Sequence, residues 1–374
     1  MSLGHGASIV RNGLVFYFDS ANIQKSWKGA PVTNLAKNVS NQVDWLVYNL
    51  TQTVSRSTIT ANEVYRITST TGTGLTFRIG FTNATLVNGA TYTVSYRYRI
   101  ISGGPVFQAR DWCDTAITLT TTALGGGIFY ETATGTRATY DSTYRFLDFE
   151  ISNNTVVEIW DLQLEERSFA TPYSSAQIRS NTQALIDLTN INTITTNSLT
   201  YASNGTFSFS GSDSITLPNI ATYDFSSEQT IEIWLKPTEN DATRRNPYNQ
   251  AYGGYGTWTH EPSGAFNYYY GDSGINNIPY IGHSSSFTVN QNEIACVCTT
   301  RNTSESWWYK NGVADTQYSH SYANLTATAA NILIGTGYAG GYIGDIYSVK
   351  IYNRALSAAE VRQNFSAIRG RYGI

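Results

Sequence analysis

TIEIWLKP (230–237), IACVCTT (294–300), SWWYKNGV (306–313), ANILIGTG (330–337) and YIGDIYSVKIYNR (342–354) follow one another through the second half of the chain. Each is short and bounded by Gly, Asn or Pro, the pattern of strands separated by turns. FSFSGSDSITLPN (207–219) begins the series in the same way. This half is therefore predicted to be all-β, and only its end differs. In RALSAAEVRQNFSAIRG (354–370), Ser357 is placed as an N-cap with Glu360 three residues later, Leu356 as a staple residue and Gly370 as a stop. One short terminal helix is predicted.

Toward the N-terminus the pattern recurs in TYTVSYRYRI (91–100), TYRFLDFEI (143–151) and TVVEIWDLQL (155–164). Turn signals at Val87-Asn88-Gly89 and Ser102-Gly103-Gly104-Pro105 separate such runs, a spacing typical of a jelly roll or sandwich. In TVVEIWDLQL, Val157, Ile159 and Asp161 alternate with Val156, Glu158, Trp160 and Leu162, so both faces carry apolar area and a central strand is expected. SFATPYSSAQIRS (168–180) is small and polar, as expected where one unit hands over to another. GLVFYFDSAN (13–22) reads as a buried strand closing on a turn.

Composition agrees with this reading and narrows the partners. Of 374 residues, 41% are hydrophobic and 14% charged, with 31 Gly and 27 Tyr. That is too much chain for one sandwich, and two β-rich units are expected. The net charge of −3 with scattered Lys and Arg leaves no footprint for nucleic acid or an anionic membrane. No run approaches the roughly 20 apolar residues of a membrane span, and the N-terminal residues lack a signal-peptide core, so a soluble, unprocessed chain is expected. Cys296 and Cys298 share one face of a predicted strand and Cys113 stands apart, so no disulfide framework is implied and synthesis in a reducing cytosol is expected. Sequons such as Asn204-Gly205-Thr206 arise by chance in so Asn-, Ser- and Thr-rich a chain.

The order of motifs across 204–366 resembles the laminin-G-like, concanavalin A-like lectin/glucanase sandwich. The resemblance rests on Phe209-Ser210-Gly211, Ile215-Thr216-Leu217-Pro218, the run 230–237, Trp308-Tyr309-Lys310-Asn311-Gly312-Val313 and Gly344-Asp345-Ile346 through Ser357. The close, YNRALSAAEVRQNFSAIRGRYGI, and the opening GLVFYFDSAN are similar to those of bacteriophage virion proteins, marine and cyanobacterial phages above all. In those proteins a segment like Ala184-Leu185-Ile186-Asp187-Leu188-Thr189-Asn190 soon follows the opening strand, whereas about 150 residues intervene here, far beyond an ordinary loop. The resemblance thus implies a discontinuous sandwich of residues 1–28 and 177–374, with 29–176 an inserted carbohydrate-binding-module-like jelly roll. The insert resembles such modules through TYTVSYRYR and EIWDLQLEERSFATPY. A simple order with 1–175 as one domain is the alternative.

Candidate chemistry is sparse. Gly335-x-Gly337-x-x-Gly340 has the letters of a dinucleotide fingerprint, but a strand follows it where a helix is needed, so it reads as a glycine-rich connection. His260-Glu261 lacks the second histidine of a zinc helix, the four histidines show no ligand spacing, and no metal or other cofactor is implied, a structural calcium being the alternative left open. Glu232 and Glu158 are the acids a glycosidase pair would use, yet no spaced acidic triplet accompanies them and a solvated sheet face is the expected setting. No nucleophile elbow or Cys-His pairing exists, so no catalytic residue is assigned and no enzyme is expected.

The most aromatic region, 244–283, supplies the candidate contact residues Arg244, Arg245, Tyr248, Tyr252, Tyr255 and Trp258. Aromatic faces stack on sugar C–H surfaces and Arg bonds hydroxyls, while the same residue types also make protein contacts. Half of the rings are expected inward, because alternate strand residues must face the core. Arg110-Asp111-Trp112 is a second loop-tip candidate, with Trp112 expected under its own sheet. Together with the resemblance, these readings lead to an expected virion protein of tail-fibre, tail-appendage or capsid-decoration type, made in the host cytoplasm. It is expected to bind host-surface polysaccharide, other virion proteins or both. Oligomerisation is expected for avidity, a trimer by analogy. Decoration without glycan binding and, more remotely, polysaccharide cleavage are the alternatives.

Overall fold

The computed structural model describes residues 8–22, 25–37, 45–46, 52–59, 62–69, 75–80, 86–104, 107–110, 117–137, 146–152, 154–201 and 207–374. Cys113, Asp111 and Trp112, the sequon Asn204-Gly205-Thr206 and the side chain of Arg110 lie outside the described residues. The chain divides into two compact units, residues 1–29 with 181–374, and residues 30–180. Both are β-structures, and the helix Ala358–Ile368 with its following 3₁₀ turn Arg369–Arg371 is the only helical structure among the described residues.

The first unit is built from two antiparallel sheets. The eight-stranded sheet runs Thr200–Tyr201, Phe207–Ser210, Ile343–Tyr352, Gln229–Pro237, Ala295–Arg301, Glu305–Lys310 and Val313–Ser319, and Leu14–Asp19 also pairs with Ile343–Tyr352. The seven-stranded sheet runs Thr195–Asn197, Ser214–Leu217, Ile332–Ile334, Arg245–Asn249, Thr257–His260, Phe266–Gly271 and Tyr280–Ser284. Rings from both sheets fill the space between them. Trp258 of the second sheet lies 5.0 Å from Trp308 of the first, and Trp258 Nε1 donates to Thr299 Oγ1 at 3.2 Å. Trp308 Nε1 donates to the His283 carbonyl at 2.8 Å, so neither indole N–H is stranded.

The other face of the eight-stranded sheet is covered as well. The helix carries the capping box read from Ser357 and Glu360 and lays Val361, Asn364 and Ile368 on the sheet. Phe365 stacks on Trp234 at 5.5 Å and Tyr372 closes on the same indole at 4.8 Å. Gly370 does not stop the helix through a left-handed residue. The backbone tightens into the 3₁₀ turn through it, and Gly373 is the glycine with φ of +73°. Asn364 accepts from the Val10 N–H at 2.8 Å and donates to the Tyr352 hydroxyl at 2.9 Å. The buried Asp19 carboxylate takes Arg371 as an ion-pair partner and accepts from the Tyr372 hydroxyl at 3.1 Å.

This cover overturns the solvated setting expected for Glu232. Its side chain is fully buried and pairs with the equally buried Lys350 at 2.5 Å, whose ammonium also sits 5.2 Å from the Tyr17 ring centre. Cys296 and Cys298 share this covered face, are free thiols, and burial pushes both well above the ordinary thiol range.

The second unit holds a six-stranded and a four-stranded antiparallel sheet. Val156–Glu165 is central, flanked by Asn62–Ser69 and Thr91–Ser102. Tyr92, Val94, Tyr96 and Tyr98 alternate into its core beside Val157 and Ile159, and Ile151 joins from the other sheet. Leu162 and Leu164 enter the same core, contrary to strict alternation. The reason is a bulge: pairing shifts between Trp160 and Gln163, and Asp161 takes φ of +54°. Glu158 is also buried, held by Arg66 and Arg99 at 2.7 Å each. Burial alone would raise its carboxyl, but these two guanidinium groups hold it below the ordinary range.

The buried ion pair and the buried histidines each set a stability prediction. Lys350→Met alone strands the Glu232 carboxylate and is expected to cost roughly 3–5 kcal/mol, while Glu232→Leu/Lys350→Met recovers most of it, as urea unfolding would show. Burial lowers His283 to about 4 from an ordinary 6.5 and also depresses His260 and His320. Between those values the unfolded chain binds protons the folded chain refuses, so stability falls as pH drops from 6.5 toward 4. Melting temperatures at pH 7 and 5 should show this fall, reduced in His283→Gln.

Candidate functional site

The hairpin from Thr257–His260 to Phe266–Gly271 sorts its residues by parity. Trp258, His260, Phe266, Tyr268 and Tyr270 are buried in the aromatic core. Asn267 and Tyr269 point to the opposite face, where Tyr269 crosses its neighbouring strand at Gly282. A Cβ on Gly282 would lie 2.9 Å from the Tyr269 ring, so glycine leaves the ring its place.

Three further rings, Tyr280 at the start of the edge strand and Tyr252 and Tyr338 in two loops, extend Tyr269 into a row. Tyr280 lies 6.0 Å from Tyr269, Tyr252 lies 5.1 Å from Tyr280, and Tyr338 lies 4.9 Å from Tyr252. All three contacts are edge to face. Tyr338 is 72% and Tyr280 42% exposed, and Ile275 and Ile278 are open beside them. At the other end the Arg244 guanidinium sits 5.9 Å from the centre of Tyr269. Its Nε donates to Glu261 Oε2 at 3.0 Å, and Glu261 Oε1 accepts from Thr259 and from Asn267 Nδ2 at 2.7 Å. Burial would raise the Glu261 carboxyl, but these three donors outweigh it and hold it below the ordinary range.

The loops are fixed by hydrogen bonds between their backbones and the Asn276 and Ser273 side chains. The Tyr252 N–H donates to Asn276 Oδ1 at 3.0 Å, Gly253 N–H to the Ile275 carbonyl at 3.1 Å, and Ser273 Oγ to the Gly253 carbonyl at 3.0 Å. A side chain at Gly253 would meet the Asn277 carbonyl at 2.0 Å. The glycine-rich connection 335–341 lies over Asn246 and Asn249, with the Asn246 N–H donating to the Gly340 carbonyl at 2.8 Å. Its glycines allow this close approach and present Tyr338 rather than a phosphate cradle.

The six sequence candidates separate accordingly. Arg244 and Tyr252 reach the open row. Tyr248, Tyr255 and Trp258, contact candidates from sequence, are buried in the sandwich. Tyr248 accepts from Gln229 at 3.3 Å, and the Tyr255 hydroxyl, which burial pushes up to about 12, donates to Asp224 at 3.3 Å. Arg245 is tied to Asp241 and to Glu239 at 3.6 Å and donates to the Gly341 carbonyl at 3.1 Å, so it braces the loop. Sequence reasoning missed Tyr269, Tyr280, Tyr338, Glu261 and Asn267 as site residues. The parity of Tyr269 against its buried neighbours was a readable signal; the contact of Tyr338 with Tyr252 was not. Among the described residues no group of three His, Cys, Asp or Glu side chains is placed to hold a metal ion.

Two face-packed antiparallel sheets, with rings between them and a ring-bearing outer face, define a concanavalin A-like β-sandwich. Residues 209–362 match the family described as the concanavalin A-like lectin/glucanases superfamily. Similar solved structures include the receptor-binding domain of botulinum neurotoxin C/D mosaic serotype, at 16% identity and TM-score 0.41, covering 50% of this chain and 49% of that one. The botulinum neurotoxin serotype D ligand-binding domain in complex with N-acetylneuraminic acid is similar at 14% and 0.43, covering 50% and 49%. Domain 4 of an extracellular arabinanase from Geobacillus stearothermophilus, in complex with arabinotriose, is similar at 16% and 0.39, covering 50% and 93%. The chain thus spans about half the length of the two neurotoxin domains. No curated protein matches it.

The partition of the rings has a direct test. Trp258→Ala should destabilise the first unit by roughly 3–5 kcal/mol, the usual cost of emptying a core aromatic site. Tyr338→Ala should stay within about 0.5 kcal/mol of the parent. Chemical unfolding of both variants checks the contrast.

Proposed function

We propose that the chain is a non-enzymatic adhesion protein of a bacteriophage particle, of tail-fibre, tail-appendage or capsid-decoration type, that holds host-surface glycans on the Tyr269–Tyr280–Tyr252–Tyr338 row. The observation that carries the binding reading is the row itself. Its rings are linked, Tyr280 and Tyr338 exposed and Tyr252 and Tyr269 half-buried, with Arg244, Glu261 and Asn267 supplying polar groups at one end. Stacking on C–H faces with hydroxyl hydrogen bonds at the margin is the chemistry of sugar recognition. The lectin family matched over 209–362 supports the same reading.

The virion assignment draws on the resemblance of the opening and closing segments to phage proteins. The opening strand Leu14–Asp19 pairs with the strand Ile343–Tyr352 that leads into the closing segment, Leu14 opposite Tyr352. Residues 30–180, with two sheets around one core, suit an inserted jelly-roll module. The non-enzymatic reading is supported by Glu232 and Glu158, whose carboxylates are taken up by Lys350 and by two arginines. Several copies on a particle would add avidity to weak single contacts, which favours an oligomer, a trimer by analogy. Exposed Ile275 and Ile278 favour a second reading, in which the same face packs against another virion protein.

Glycan-array binding, followed by titration of the best hits, tests the proposal. Tyr252→Ala and Tyr280→Ala should each weaken binding at least about tenfold, or 1.4 kcal/mol, without lowering the melting temperature. No binding by the parent protein, together with burial of this face in the assembled particle, would favour the packing reading.

A further inference from the structure

We infer that the tyrosine row selects uncharged glycans and that Glu261 is the residue that sets this choice. The inference rests on the glycan reading above and adds the class of sugar. A site for acidic sugars needs a cation whose charge is available. The described cation that touches the row is Arg244, with Arg245 next to it in the chain but off the row, and both are already engaged. Arg245 faces Asp241 and Glu239, and only 13% of its side chain is exposed. Arg244 faces Glu261 at 3.0 Å. Asp272, whose backbone N–H bonds the Pro279 carbonyl at 3.1 Å, adds a further exposed carboxylate next to the start of the strand that carries Tyr280. Two carboxylates, Glu261 and Asp272, therefore stand against the one guanidinium group of Arg244, and an incoming carboxylate or sulfate meets a field of its own sign.

Hydroxyls meet a different situation. Arg244 binds Glu261 through Nε, and its side chain is 49% exposed, so its terminal amino groups are positioned to donate outward while its charge stays compensated. Asn267 and Glu261 form the adjoining donor and acceptor pair, with Ser284 donating to Asn267 Oδ1. This combination of faces, donors and acceptors without net positive charge matches an extended neutral polysaccharide. Glu261 acts as the counter-charge that makes Arg244 a hydroxyl ligand instead of an anion ligand.

Glu261→Gln keeps an acceptor for Thr259 and Asn267 and removes the charge that compensates Arg244. The test measures binding of the parent, Glu261→Gln and Tyr252→Ala to immobilised neutral polysaccharides (dextran, mannan, β-glucan) and to acidic ones (alginate, polysialic acid), at low and at 0.5 M salt. The parent is expected to bind at least one neutral polymer and to bind the acidic ones at least tenfold more weakly. Glu261→Gln is expected to gain on the order of tenfold toward the acidic polymers at low salt, and to lose that gain at high salt. Preference of the parent for an acidic polymer overturns the inference while leaving the glycan reading standing. So does a folded Glu261→Gln with unchanged preference. If the parent exceeds Tyr252→Ala on neither class, the glycan reading itself falls and the inference with it. The ratio measured for the parent decides the point even if Glu261→Gln fails to fold.

Discussion

The two-residue repeat of a pleated strand is the constraint on which the rest of this domain depends. A sandwich claims one face of every strand for its interior, and whatever the protein does externally must use the other face or the loops. In Phe266–Gly271 the claim is visible residue by residue: Phe266, Tyr268 and Tyr270 go inward while Asn267 and Tyr269 remain outside. The eight-stranded sheet makes the opposite use of its second face. There Glu232, Trp234, Cys296 and Cys298 are roofed by the helix and by Tyr372, so that sheet is closed on both sides.

How far the sequence could be read depends on how local each signal is. Strand and turn patterns are local, and they carried the all-β class, the central position of Val156–Glu165 and the capping box of the terminal helix. Asp161 shows the first kind of failure. One left-handed residue shifts parity, so Leu162, placed by alternation opposite Ile159, shares its core. Gly370 shows the second, since a glycine after a helix can equally sit in a tightening 3₁₀ turn.

The candidate site was less legible for a related reason. Aromatic richness marks the region but not the direction of each ring, and Tyr248, Tyr255 and Trp258 have the same letters as the residues that stay outside. Tyr338 is the clearer case. It lies far along the chain from Tyr252, in a glycine-rich connection whose purpose emerges only from the close approach to Asn246 and Asn249. Likewise Glu232 read as a surface acid because nothing nearby in sequence announces the helix above it or Lys350 beside it.

The pairing of Leu14–Asp19 with Ile343–Tyr352 also has a consequence for biosynthesis. At about 5–20 residues per second, the ribosome needs roughly 15–60 s to deliver the later strand after the earlier one has emerged. Throughout that interval Phe16 and Phe18, both wholly buried at the end, have no sheet to enter. Residues 30–180, a compact unit with its own core, can fold during the wait, whereas the first unit must hold an apolar strand in reserve until Ile343–Tyr352 has been synthesised. Chaperone demand during expression should therefore concentrate on this nascent segment, and its exposure time is set by translation speed rather than by the stability of the finished domain.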